Sequence, residues 1–96
     1  MCTYQTHKIQ IDGSGKAKMG WISLSEATVY VDHPVHLQQD HAVNIDFLAP
    51  ALGPSARVAV ELSEEAALAL ADAIRQAIGS APPGMASART RPAGAA

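Results

Sequence analysis

Apolar and polar positions alternate most cleanly in HAVNIDFLAP, residues 41–50. His41, Val43, Ile45 and Phe47 fall on one side of an extended chain, and Asn44 and Asp46 on the other, because strand side chains repeat every two residues. A second such run, ARVAVEL (56–62), places Val58, Val60 and Leu62 inward and Arg57 and Glu61 outward. Upstream, TYQTHKIQID (3–12) sets Ile9 and Ile11 on a face with His7 and Gln5. WISLSEATVYVDH (21–33) reads as one long strand or as two pieces broken near Ser25. There Val29, Val31 and His33 share one face, and Thr28, Tyr30 and Asp32 the other.

The segments between these runs carry turn chemistry. GSGKAKMG (13–20) holds three glycines and reads as a hairpin loop. Pro34 ends strand pairing because it has no amide proton, and APALGPS (49–55) is a turn region. Ser63 reads as a helix N-cap, with Glu64 and Glu65 in the first turn, where the helix dipole favours acids. Ala67, Leu70, Ala71, Ile74, Ala77 and Ile78 form an apolar stripe at helical spacing. Gly79, followed by Pro82 and Pro83, ends it.

The order β-β-β-β-α predicts an α+β fold, a four-stranded and mostly antiparallel sheet with one C-terminal helix packed on one face. Trp21, Ile22, Leu24 and Tyr30 would supply surface for the other face. Through that face, or through an edge strand, the chain is expected to form a homodimer or larger assembly.

The last stretch, SAPPGMASARTRPAGAA (80–96), has no apolar period. Such a segment buries too little apolar surface to offset its ordering entropy. The expected organisation is one domain over residues 1–79 and a disordered Pro/Gly/Ala-rich tail over 80–96. Of the seven Lys and Arg, Arg89 and Arg91 lie in that tail, so the body has five against nine Asp and Glu, a net charge near −4. An acidic body argues against nucleic acid and against an anionic membrane surface. No apolar run approaches the ~20 residues of a membrane helix. MCTYQTHKIQ lacks the apolar core of a secretory signal, and one cysteine excludes an internal disulfide. A cytoplasmic protein is the expectation.

Chemistry concentrates in DHPVHLQQDH (32–41), which holds three of the four histidines. If the flanking strands pair as a hairpin, His33 and His41 meet across the ladder on the apolar parity, and His36 lies in the connecting loop. His7 continues the Ile9–Ile11 face. Converging imidazoles suit a divalent ion, Zn by default, with a coordination position left open. Asp32 or Asp40 could add an oxygen ligand or orient a histidine. Cys2, with its thiol beside the amine of a processed N-terminus, is an accessory candidate. Glu26, Tyr30 and Asp46 are the other groups able to exchange protons or bind a ligand, although outward placement makes them most simply solvated or interfacial. The spacing H-x-x-H-x4-H matches no strong zinc signature, so a metal-free histidine pocket and a plain polar loop also stay open. GSGK lacks the rest of a phosphate-loop pattern and no helix follows it. Arg57 and Glu61 read as a surface pair of little weight.

Taken together, MCTYQT, GSGK, GW, DHPVH, NIDF, GPSARVAVEL and the alanine-rich helix resemble a family of short actinobacterial proteins known only as a domain of unknown function. The resemblance spans about residues 1–79 and implies one domain. It carries over no catalytic residue. The residues themselves point to a small metal-binding protein, with a metal-dependent lyase, isomerase or hydrolase left open and no catalytic residue assigned. The alternatives are a metal-free small-molecule module, with its ligand between sheet and helix, and an oligomeric assembly protein.

Overall fold

Four strands and one helix make up the computed structural model, which describes residues 5–18 and 20–82. The strands are β1 (His7–Ala17), β2 (Gly20–Asp32), β3 (Ala42–Leu48) and β4 (Arg57–Leu62), followed by α1 (Glu64–Gly79). They form one antiparallel sheet in the order β1-β2-β3-β4. Chain neighbours are sheet neighbours throughout, so every link is a hairpin or a short loop.

Cross-strand pairing sets the two faces. Val29↔Ile45↔Val60, Val31↔Val43↔Leu62 and Ala27↔Phe47↔Val58 line one face. On the opposite face lie Tyr30↔Asn44↔Glu61, Thr28↔Asp46↔Ala59 and Glu26↔Leu48↔Arg57. The parities of β2, β3 and β4 are those the alternation predicts, but the burial is not. Asp46, expected to be solvated or interfacial, and its face neighbour Asn44 are each only 8% exposed, whereas Val43, Ile45 and Phe47 are half-buried.

The first hairpin differs from its expectation. GSGK does not form a loop; Gly13–Ala17 are the end of β1 and pair with Gly20–Leu24, so the hairpin closes at Ala17↔Gly20. The register shifts between Gln10 and Gly13, where an extra residue is taken up in β1 as in a bulge. Gly15 leaves room for Leu24: a Cβ there would stand 2.8 Å from Leu24 Cδ1, so that side chain would have to shift. Leu24 is 7% exposed and lines a hollow with Phe47 and Val58. It is therefore part of the chain's own interior and not a free interface residue. Trp21 remains 69% exposed, and Tyr30 lies on the second face, as its parity predicts, beside Asn44.

Pro50–Leu52 make a 3-10 turn that ends at Gly53, whose φ of 99° suits glycine. Ser63 caps α1 as expected, its Oγ accepting from the Ala66 amide at 3.1 Å. Gly79 is the last helical residue and Ser80 the C-cap. The helix follows β4 and meets β3 and β4, with Ala67 and Ala71 half-buried and none of its residues fully buried. Cys2 and the tail beyond Pro82 lie outside the described residues. Among the described residues no helix is long and apolar enough to cross a membrane.

Candidate metal centre

Asp32↔Ala42 is the last paired rung between β2 and β3. His33 and His41 occupy the next positions on each side, and so face one another as the loop opens. Their ring centroids are 4.6 Å apart with planes inclined by 30°. Asp40 engages both rings. His33 Nδ1 lies 2.9 Å from the Asp40 carbonyl oxygen, and His41 Nδ1 lies 3.2 Å from Asp40 Oδ2. A carbonyl only accepts, so His33 carries its proton on Nδ1 and its lone pair on Nε2. A proton on His41 Nδ1, facing the carboxylate, likewise puts that lone pair on Nε2. Fixing tautomers in this way is what second partners of metal-ligating histidines do. His33, Asp40 and His41 each offer a ligand atom, and these atoms all lie within 4.8 Å of one another.

The loop bearing this group is fastened at its base and its middle. Asp32 Oδ1 accepts from the His33 amide at 2.7 Å. Across the sheet, the Glu61 carboxylate accepts from the amides of Val35 (2.5 Å), His36 (3.0 Å) and Leu37 (2.9 Å). The bonds from Leu37 and Val35 hold the Glu61 carboxyl below the ordinary glutamate range. Glu61 is thus a loop anchor and not half of a surface pair with Arg57. The Arg57 guanidinium stands 3.7 Å from Asp46 Oδ2 instead.

The other candidates disperse. His36 sits on the polar face, lining a hollow with Tyr30, Asn44 and Glu61, and is not one of the three grouped residues. His7 is exposed and pairs with Val29, about 13 Å along β2 from His33 at ~3.3 Å per residue. His33 itself is exposed rather than inward. Asp32 serves the loop amide. Glu26 pairs with Lys8 at 3.5 Å. Tyr30 donates to Asp46 Oδ2 at 3.3 Å, and burial, then the Asp46 charge, raises the Tyr30 pKa. Cys2 lies outside the described residues. Glu61 is the residue that sequence reasoning missed. Its outward parity was visible, but the loop that folds onto it has no periodic pattern to reveal where it goes.

The class that the fold defines is an α+β domain, a four-stranded antiparallel β-meander followed by one helix. The chain belongs to a family of unknown function, DUF6295, whose model matches residues 1–87. No curated protein and no solved structure matches it.

Proposed function

We propose that the domain binds one divalent metal ion through His33, His41 and Asp40. The observation that carries this reading is that His33, Asp40 and His41 each bring one ligand atom to the mouth of the hairpin, all within 4.8 Å of one another. Two imidazoles and a carboxylate leave further positions for water or substrate. Zn is the default ion, and the same donor set also suits Fe(II). Such an ion could polarise a carbonyl or activate water, the chemistry of a lyase, isomerase or hydrolase in the cytoplasm. His36 and His7 are not part of the proposed ligand set.

Zinc titration of untagged protein by calorimetry tests the proposal. One equivalent should bind. His33→Ala and His41→Ala should each weaken binding by about 100-fold or more, and Asp40→Ala by at least about tenfold. Imidazoles ligate when neutral, so affinity should fall as the solution is made acidic. No binding, or equal binding by wild type and all three variants, contradicts it.

One observation favours a second reading, a metal-free small-molecule module. A hollow of about 490 Å³ on the polar face is lined by Tyr30, His36, Asn44, Asp46 and Arg57, and its size suits a small polar ligand. The ligand would then lie over the polar sheet face and not between sheet and helix.

A further inference from the structure

The polar sheet face holds hydrogen-bonding capacity that the chain does not itself use. Asn44 and Asp46, on the inner strand β3, are the buried polar residues among those described, each 8% exposed. Both line the hollow of about 490 Å³. Asn44 Nδ2 donates to the Ala42 carbonyl at 3.2 Å. A carbonyl only accepts, so the amide is held in one orientation and its Oδ1 is left as an acceptor without a donor among the described residues. Asp46 is in the same position. Tyr30 donates to Oδ2 at 3.3 Å and Arg57 stands 3.7 Å from that same oxygen, so Oδ1 takes no hydrogen bond among the described residues. Polar groups this deep are ordinarily paired. No fully buried side-chain nitrogen or oxygen lacks a partner. Both open oxygens are therefore reachable, and the hollow is the opening that the two residues share.

We propose that this hollow binds a small organic cation with a primary ammonium head and a short apolar body. An ammonium offers N–H donors and no acceptor, which matches two open acceptors, Asn44 Oδ1 and Asp46 Oδ1. Hydrogen bonds from a charged donor are the stronger class. The charge has the right sense as well: two carboxylates, Asp46 and Glu61, line the hollow against one guanidinium, Arg57. The Glu61 carboxylate is taken up by three loop amides, which leaves Asp46 as the group that meets the head. Val35, Leu37, Ala59 and Val60 supply apolar lining for the body. A carboxylate ligand fits this hollow poorly, because Arg57 already faces Asp46 and the open positions accept rather than donate. The assignment rests on the metal-free reading above and names its ligand. It is independent of the metal group, since His33, Asp40 and His41 do not line the hollow.

NMR titration of the isotope-labelled full chain with n-butylammonium chloride, in the presence of a chelator, tests this. The amide signals of Tyr30, Asn44, Asp46 and Ala59 should shift and saturate. Butyrate and 1-butanol at the same ionic strength should bind at least about tenfold more weakly. So should n-butyltrimethylammonium, which keeps the charge but has no N–H donor. Asp46→Asn and Asn44→Ala should each weaken n-butylammonium binding by about tenfold, whereas His33→Ala/His41→Ala should bind it as wild type does. The probe series uses wild type alone, so it decides the matter even where a substitution disturbs folding. Butyrate binding more tightly than n-butylammonium overturns the ammonium assignment while leaving the hollow a ligand site. No saturable shift with any of the four probes overturns the assignment and the metal-free reading together. Equal binding of the trimethylated cation, or loss of binding in the double histidine variant, also overturns the proposal.

Discussion

The Leu24→Ala protein is expected to lose about 3 kcal/mol of folding stability. Leu24 is the one large apolar side chain among the buried hydrophobic residues described, and it lines a hollow with Gly15, Phe47 and Val58. Truncation removes its transfer free energy and adds the cost of the space left behind. For a domain of this size each kcal/mol shifts the melting temperature by about 4–8 °C, so the variant should melt at least 10 °C lower by that scale. Urea unfolding at fixed protein concentration measures it. A loss below about 1 kcal/mol would mean that the interior at this end relaxes freely, and that Leu24 is not what holds the first hairpin to the rest of the sheet.

Glu61→Ala is expected to release the loop and to cost most of the metal affinity without touching a ligand. Three consecutive amides lose their shared acceptor, and the segment between His33 and Asp40 is then held at its ends alone. Zinc affinity should fall by about tenfold or more, and the amides of Val35, His36 and Leu37 should exchange faster. The bonds hold the folded carboxyl below its unfolded value. Their contribution is therefore complete above the ordinary glutamate pKa of ~4.3 and is lost as the pH falls through the lower folded value. Wild type should consequently lose stability over that acid window more steeply than Glu61→Gln does. Unchanged exchange at the three amides and unchanged zinc affinity would show that the loop holds its shape without Glu61.

Periodicity made much of this structure legible. The alternation in 41–62 identified β3 and β4, and the parity of Val29, Val31 and His33 brought His33 to His41 across the hairpin. Ser63 and Gly79 marked the ends of α1. Where the sequence misled, a local rule met a tertiary override. Three glycines in 13–20 suggested a loop, yet strand pairing continued through Gly13 and Gly15, because β2 supplied a partner and Leu24 needed room. Asp46 looked solvated or interfacial from its outward placement, but the loop over 33–41 and Arg57 line its face. Asp40 entered the reading as a flanking acid. Its role depends on a main-chain carbonyl and a carboxylate acting on two rings at once, which residue type and spacing do not encode. His36 and His7 were grouped with the other two by type, and loop direction and strand register separate them.

The most direct test of the central claim is the metal content of untagged, full-length protein, measured by mass spectrometry of the elements after purification without chelator and again after reloading with Zn or Fe(II). We expect close to one divalent ion per chain, falling to background in His33→Ala/His41→Ala and retained in His36→Ala and His7→Ala. Background metal in wild type before and after reloading, or occupancy that depends on His36 or His7 and not on His33 and His41, would contradict the assignment.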